Sequence, residues 1–241
     1  MTETDAPVAT RSERDAHVLD NPVWHAISGP SSHLAEHAGL AGRYHKDVAP
    51  FGAIADDTSE TWSDLARLIG PGHRAMLFKP TVRIPDDWIS EFRIPCVQLV
   101  ADGVTAGAPD LELQPLTAGD VPEMLDLVAA TRPGPFEHRT IELGTYLGHR
   151  SGGRLVAMAG ERMRCPGYTE VSAVCTASDH RGRGLGAALT LAVVHLVRAR
   201  GEEAFLHAAS DNVDAIRLYQ ALGFTLRTEA EVVIVRPTTE G

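Results

Sequence analysis

The 241-residue chain carries a formal net charge of −10, from 22 lysines and arginines against 32 aspartates and glutamates. This balance disfavours nucleic-acid binding, which needs a basic face to neutralise phosphates. The content of 44% hydrophobic and 22% charged residues is typical of a globular protein. Three widely spaced cysteines without a CxxC pair indicate neither a disulfide framework nor a thiolate zinc site. A polar, acidic N-terminus and the lack of a long apolar run predict a cytoplasmic chain with no membrane association.

In chain order, the sequence predicts a disordered, charged tail over 1–20 and then an N-terminal α/β domain over 21–102, whose role stays unassigned. Within that domain, 61–69 has the pattern of a short amphipathic helix, and 73–79 and 94–101 have the composition of strands. Residues 103–110 are small and turn-rich, which predicts a linker.

Residues 111–241 are predicted to form a second domain, in which strands and helices alternate without long gaps. Strands are expected over 111–116, 155–163, 168–176, 204–208 and 232–236. Helices are expected over 122–130 and 140–149, from the glycine loop at 182–186 to about 200, and over 214–222. The alternation predicts an α/β fold of mixed α+β layers.

The glycine-rich loop between the strand at 168–176 and the next helix is the most informative segment. Glycines at 182, 184 and 186 let the backbone approach a ligand and direct successive N–H groups into one concavity. The following helix N-terminus favours negative charge, and Arg181 and Arg183 add cations at the same rim. The loop is therefore predicted to bind a phosphate or pyrophosphate.

Two alternatives for this loop are a turn without a ligand and a dinucleotide site. Gly182, Gly184 and Ala187 match the GxGxxG/A fingerprint of NAD(P)-dependent dehydrogenases. That fold needs an acidic residue at the end of the next strand, whereas Glu202 and Glu203 precede the strand at 204–208. The sequence after the loop is also too short for a doubly wound sheet, so a dehydrogenase is a distant alternative.

The strand and loop resemble motif A of the GNAT superfamily of N-acetyltransferases, a strand followed by R/Q-x-x-G-x-G/A, which Arg181, Gly184 and Gly186 match. The pattern N-x-x-A-x-x-x-Y-x-x-x-G-F from Asn212 to Phe224 resembles the family's motif B. Residues 134–176 are similar to a branch close to glycine N-acyltransferase-like proteins. The resemblance implies a GNAT fold in the C-terminal half, preceded by a divergent N-terminal half that can itself be GNAT-like.

The same resemblance implies acetyl-CoA as co-substrate and no metal. In the family, backbone groups at the end of the strand bond the pantetheine arm, and N–H groups of the loop hold the pyrophosphate. Carried over by position, the implied cofactor-binding residues are Val174, Cys175, Thr176, Arg181, Gly182, Arg183, Gly184, Leu185, Gly186, Ala187, Asn212 and Tyr219.

Attack of an amine on a thioester calls for a base that accepts the amine proton and an acid that protonates the departing thiolate. Tyr219 lies where the family places the acid, although packing in its helix is the simpler explanation. Glu170 is the predicted base, because strand alternation puts it on the face of Ser172 and Val174. Its position is also similar to that of the glutamate base in the superfamily's histone acetyltransferases. An exposed strand carboxylate is the simpler alternative for Glu170.

His138, Glu142 and Glu161 are the fallback bases, and residues 137–139 lie in the region that by resemblance borders the acceptor pocket. Cys175 is predicted to be a small core residue rather than a nucleophile, since no histidine is paired with it by motif. The expected acceptor is a primary amine of a small molecule or peptide, and a homodimer is compatible with the sequence. A non-catalytic acyl-CoA-binding or sensing module is the main alternative function.

One further motif points elsewhere. His33-Leu-Ala-Glu36-His37 matches HxxEH, the inverted zinc-peptidase pattern, in which a helix would put both histidines on one face. Pro30 and Gly39 leave little helix around it, and so short a match arises easily by chance. Solvated histidines are therefore the preferred interpretation, and a zinc peptidase is a distant alternative.

Overall fold

The computed structural model describes residues 17–107 and 109–238. Within these ranges the helices are α1 (Pro22–Ile27), α2 (Ser59–Ile69), α3 (Val121–Thr131), α4 (Leu185–Ala199) and α5 (Val213–Ala221). The strands are β1 (Ala35–Ala38), β2 (Ala41–Tyr44), β3 (Gly52–Ile54), β4 (Ala75–Lys79), β5 (Trp88–Val100), β6 (Gln114–Pro115), β7 (Tyr146–Ser151), β8 (Arg154–Cys165), β9 (Tyr168–Thr176), β10 (Glu203–Ala209) and β11 (Thr225–Pro237). None of the helices in this part of the chain has the length and apolar character that a membrane span requires.

Eight strands form one mixed sheet in the order β4-β11-β5-β10-β9-β8-β7-β6, while β1, β2 and β3 form a small antiparallel sheet. β5 comes from the first half of the chain but lies between β10 and β11, antiparallel to both. β4 pairs with β11 at the edge. The predicted mixed α/β layered fold is confirmed. The boundary at 103–110 stays a prediction, and strands from both sides of it share the large sheet.

The large sheet buries a core on each face. On one face, α3 and α4 pack against the strands, and Leu189, Val193 and Val197 of α4 recur at helical spacing and are fully buried. The opposite face is covered by residues 17–72, which we call the N-terminal layer. Phe205 of β10 packs against this layer, whereas its strand neighbours belong to the core on the α4 side, as strand alternation requires.

Helix α2 illustrates how local sequence sets the bounds of an element. The Thr58 hydroxyl caps it by accepting from the Thr61 N–H at 3.4 Å. Gly70, with a φ of +78°, ends it. Trp62 and Leu65 lie on the buried side. The helix predicted over 61–69 is confirmed.

The helix predicted over 140–149 is wrong. Residues Thr140–Leu143 form a short 3-10 turn, and β7 follows from Tyr146. Gly144 and Gly148 weaken a helix here, and pairing of Tyr146 with Gly160 on β8 leaves room for the tyrosine ring. The strand predicted over 111–116 is reduced to β6, two residues long.

Two other segments differ from their expected form. Val18–Asp20, part of the predicted tail, form a 3-10 turn with Leu19 fully buried, while residues 1–16 lie outside the described residues. The HxxEH segment spans a 3-10 turn and β1 rather than a helix. Glu36 there pairs with Arg43, and His37 contacts the Ile27 carbonyl, so the helical face that a zinc peptidase needs does not form.

Candidate active site

The parallel strands β9 and β10 separate in the middle of the sheet. Their backbones pair only where Tyr168–Glu170 of β9 lie beside Glu203–Phe205 of β10. Beyond that point β10 pairs with β5 and β9 pairs with β8, so the two strands diverge toward their carboxyl ends. A gap of this kind between parallel strands exposes backbone N–H and C=O groups that no neighbouring strand satisfies. The gap can therefore receive an extended ligand that carries amide groups.

A β-bulge bends β9 at this gap. Ala173 and Val174 stand opposite the single residue Ala159 of β8, because Met158 pairs with Cys175 and Gly160 with Ser172. Ala173 has a φ of +52°, a left-handed conformation that is strained for a residue with a Cβ. Bulges of this kind re-aim backbone groups beside functional sites. The bulge supports a binding role for the end of β9.

The glycine loop begins where β9 ends. Gly182 and Gly184 have φ values of +75° and +78°, and an added Cβ at either would meet no atom within 4 Å. Left-handed backbone, not crowding, therefore requires glycine here. A Cβ at Gly186 would contact Val174, Leu218 and Thr176 at 3.8–4.0 Å, so the loop lies between the end of β9 and α5.

The loop opens α4, whose first backbone N–H groups have no partner inside the helix. The Arg181 Nε donates to the Thr176 carbonyl at 3.3 Å, and the Arg183 guanidinium donates to the Asp179 carbonyl at 3.2 Å. Both arginine side chains are exposed at the loop. Free N–H groups, a helix N-terminus and two arginines form a surface that suits a pyrophosphate.

Tyr219 lies on α5, on the other side of the gap, and Asn212 directly precedes this helix. The Tyr219 ring packs 5.9 Å from that of Phe224, and the residue is 9% exposed. Burial, with a smaller effect from Cys175 nearby, raises the pKa of Tyr219 to about 12, so the hydroxyl keeps its proton at neutral pH. The Asn212 side chain accepts from the Ala215 N–H at 3.2 Å and so caps α5.

Glu170 occupies the last position where β9 and β10 pair, and it is fully buried. Arg162 of β8 donates two hydrogen bonds to its carboxylate, at 2.6 and 2.7 Å. The His207 Nδ1–H donates to the same carboxylate at 2.7 Å. Burial alone would raise the pKa of Glu170, but Arg162 and His207 outweigh it and lower the pKa to about 2. Glu170 is thus a fixed anion with little affinity for a proton.

The buried network continues through His207 to the N-terminal layer. The Gln98 amide donates to His207 Nε2 at 2.9 Å and to the Leu19 carbonyl at 2.9 Å, while its oxygen accepts from Arg227 at 2.8 Å. Burial lowers the pKa of His207 more than Glu170 raises it, so the ring is neutral with its proton on Nδ1. Sequence analysis missed Arg162, His207, Gln98 and Arg227, because it contains no signal for the register between these strands.

The fallback bases are engaged elsewhere or lie apart from the gap. Glu161 is buried and pairs with Arg200 at 2.9 Å, and Glu142 pairs with Arg139 at 2.8 Å. His138 is exposed. Cys175 is buried in the core on the α4 side, and burial raises the pKa of its thiol to about 11, so it stays protonated and weakly nucleophilic.

Comparisons with known proteins identify the family of the chain. Residues 146–233 match the family model described as FR47-like protein. A crystal structure from Novosphingobium aromaticivorans, assigned to the GNAT family of acetyltransferases, is 38% identical with a TM-score of 0.82. The match covers 92% of this chain and 100% of that one. The chain therefore belongs to the GNAT family.

The chain also has shorter matches to curated acetyltransferases. A mycothiol acetyltransferase from Rhodococcus opacus is 45% identical over 60 residues, which is 24% of this chain and 20% of that protein. The N-alpha-acetyltransferase RimI of Mycobacterium tuberculosis is 38% identical over 82 residues, 33% of this chain and 51% of that protein. The chain thus matches a fifth to a half of these relatives. The predicted branch near glycine N-acyltransferase-like proteins stays a prediction.

Proposed function

We propose that this protein transfers the acetyl group of acetyl-CoA to a primary amine of a small molecule or peptide. The observation that carries the proposal is the divergence of β9 and β10 next to a loop with two left-handed glycines at a helix N-terminus. An extended chain with amide groups suits the gap, and a pyrophosphate suits the loop. Coenzyme A contains both, separated along one molecule, and it supplies the thioester that the amine attacks.

The residues present fit this co-substrate. Backbone groups of Val174 and Thr176 at the bulged end of β9 would bond the pantetheine arm, with Cys175 between them. The N–H groups from Gly182 to Ala187 would hold the pyrophosphate, with Arg181 and Arg183 at the rim. Asn212 and Tyr219 would approach from α5.

A shift in melting temperature tests the assignment of the co-substrate. At a hundredfold excess over Kd, acetyl-CoA is expected to raise Tm by roughly 5–10 °C for a chain of this size. NADPH and zinc are expected to leave Tm unchanged. The glycine loop belongs to a GNAT fold rather than to a dehydrogenase, and the HxxEH segment does not form the helix of a zinc site. No response to millimolar acetyl-CoA would contradict the proposal. Binding without thiol release across a panel of amines would instead favour the non-catalytic sensing module.

Tyr219 is proposed as the general acid. Replacing it by phenylalanine keeps the packing against Phe224 and removes only the hydroxyl. The turnover number is expected to fall about 10²-fold while the Kd for acetyl-CoA stays within twofold, because the lost group acts on the leaving thiolate. Thiol release and calorimetric titration measure the two quantities. An unchanged turnover number would leave Tyr219 with a packing role alone.

Glu170 remains in the proposal as the possible base under one condition. A carboxylate with a pKa near 2 accepts a proton from an ammonium group poorly, so Arg162 would have to turn away before Glu170 could act. With Arg162 in place, the carboxylate instead fixes His207 and Arg162 at the base of the gap. The effects of replacing Glu170 separate these two roles.

A further inference from the structure

A cavity of about 760 Å³ lies between the N-terminal layer and the large sheet, on the face opposite to α4. Tyr44 and Phe51 form its inner wall, Met76 and Ile234 line it from the sheet, and Arg139 lines it from the loop before β7. The Arg139 N–H donates to the Asp47 carbonyl at 2.7 Å, which anchors that loop to the N-terminal layer. The volume is within the range of small-molecule sites.

The inner wall of this cavity contacts the residues at which β9 and β10 separate. The Phe51 ring lies 4.9 Å from the Arg162 guanidinium carbon, and Arg162 is paired with Glu170 of β9. Phe51 also stacks on Phe78 at 6.1 Å, and the Phe78 ring lies 4.0 Å from that of His207 on β10. The buried Phe51 ring thus lies between the cavity and the base of the gap on one face of the sheet, while the glycine loop and α4 lie on the other.

The lining of the cavity is basic in an acidic protein. Arg43, Lys46, Arg74 and Arg139 face Glu36 and Asp47, an excess of two positive charges (4 − 2) with histidines neutral, whereas the whole chain carries −10. A local excess of this sign attracts anions against the overall field of the protein.

Two of the four cations, Lys46 and Arg74, have donors to spare. Arg43 is held by Glu36 at 2.7 Å, and the Arg139 guanidinium donates two hydrogen bonds to Glu142 at 2.8 Å. Arg139 pairs with Glu142 but reaches the Asp47 carboxylate only at 3.4 Å, and Arg74 lies 3.4 Å from Glu91. Lys46 lies exposed at the rim of the cavity. Lys46 and Arg74 therefore have donors available for a charged group from outside the chain.

The inner wall also carries an unsatisfied donor. Tyr44 is 1% exposed, and its hydroxyl makes no hydrogen bond of acceptable geometry within the described part of the chain, although the Ser31 side chain lies near it. Buried hydroxyls without a partner are rare and usually await a ligand or an ordered water. The hydroxyl is itself fully buried next to Ser31, so Tyr44 contributes its ring rather than its hydroxyl to the cavity wall.

We propose that this cavity is the acceptor site and that the acceptor carries an anionic group, a carboxylate or a phosphate, in addition to its amine. The anion binds at the rim between Lys46, Arg74 and Arg139, and the amine points toward Phe51, whose ring lies against Arg162 at the base of the gap. This inference rests on the proposed acetyl transfer and narrows its substrate class to amino acids, peptide ends or phosphorylated amines of small size.

The experiment compares matched acceptor pairs with acetyl-CoA and measures thiol release. L-Alanine is paired with L-alaninamide to test a carboxylate, and phosphoethanolamine with ethanolamine to test a phosphate. Each pair is assayed with the parent protein and with the combined variant Lys46→Gln, Arg74→Gln and Arg139→Gln. Because the two amines of a pair differ in basicity, the decisive quantity is the change in their ratio of kcat/KM between parent and variant.

The parent is expected to prefer the anionic member of at least one pair, and the combined variant to lose at least tenfold of that preference, mostly through KM. The Kd for acetyl-CoA stays unchanged in the variant. Arg83→Gln, an exposed arginine outside the cavity, is the matched control and leaves the ratio as it is. The inference would be overturned if the combined variant kept the parent's ratio of kcat/KM, or if the parent showed no preference for the anionic acceptor. Acetyl transfer to neutral amines would still support the proposed function in either case.

A binding measurement without acetyl-CoA tests the anion site independently of the proposed acetyl transfer. Isothermal titration with phosphoethanolamine and with L-alanine is expected to give binding that the combined variant weakens at least tenfold. Such binding in a protein that does not respond to acetyl-CoA would support the anion site and contradict the acetyltransferase. Absence of binding by both probes, alone and with acetyl-CoA present, would overturn the anion site.

Discussion

Replacement of Glu170 by glutamine is expected to lower the free energy of unfolding by about 3–5 kcal/mol. Glutamine keeps the shape of the side chain but leaves the Arg162 guanidinium buried without a counter-charge. The depressed pKa gives a similar figure, since a fall from 4.5 to about 2 corresponds to about 3 kcal/mol. Urea unfolding followed by circular dichroism measures the change. Glu91→Gln, which breaks a half-exposed pair with Arg236, is the control and costs less than about 1 kcal/mol.

The same substitution changes how stability depends on pH. The folded-state pKa of Glu170 lies below its unfolded value, so its contribution is fully present above pH 4.5 and is lost as the pH falls toward 2. The groups that face this carboxylate are Arg162 and His207, with Tyr44 and Tyr146 farther away. The loss of stability between pH 4.5 and 2 is therefore expected to be smaller in Glu170→Gln than in the parent. Parallel curves would contradict the depressed pKa.

Turnover by Glu170→Gln decides between the two roles of this residue. Measured where the variant is fully folded, a kcat within threefold of the parent value would exclude Glu170 as the base. A fall of 10²-fold or more, with acetyl-CoA affinity unchanged, would support it.

Replacement of Gly184 by valine is expected to raise the Kd for acetyl-CoA at least 10²-fold. The backbone at Gly184 is left-handed, with a φ of +78°, and a β-branched residue either strains it or forces it out of the loop. Both outcomes turn the N–H groups of the loop away from a pyrophosphate. Equilibrium binding of acetyl-CoA measures the effect.

Gly153→Val is the matched control for this substitution. Gly153 lies in the turn between β7 and β8, has a φ of +82°, and likewise has no atom within 4 Å of an added Cβ. Each valine is expected to cost about 1–2 kcal/mol of stability through left-handed strain. Only Gly184→Val should weaken acetyl-CoA binding, and equal loss in both variants would show that the effect is on folding rather than on the loop.

The parts of the site that sequence predicts are those encoded locally. The strand at 168–176, the three glycines and the helix that follows are contiguous in the chain, and the strand has the same bounds in the structure. Glycine spacing and helical periodicity are short-range signals that survive without knowledge of the fold. Motif B, which the sequence indicates by its resemblance to the family, is likewise contiguous in the chain, with Asn212 at the N-cap of α5 and Tyr219 on that helix.

The sequence does not predict the buried network around Glu170, and the reason is physical. Arg162 meets Glu170 only because β8 and β9 pair in a register that a bulge shifts, and Gln98 meets His207 across 109 residues of sequence. Strand register and long-range pairing depend on packing of the whole sheet rather than on local composition. Strand alternation predicts the face of β9 on which Glu170 lies, but it does not indicate that Arg162 and His207 contact it there.

The place of β5 in the sheet also has a consequence during synthesis. β5 ends at Val100, whereas its two neighbours end at Ala209 and Pro237. At about 5–20 residues per second, the ribosome takes on the order of ten seconds to supply them, during which both edges of β5 lack partners. Glu91, Arg93 and Pro95 interrupt the strand with two charges and a missing N–H, which discourage pairing with other nascent chains. Their position predicts that replacing them with apolar residues would make the newly made chain more prone to aggregation before the second half completes the sheet.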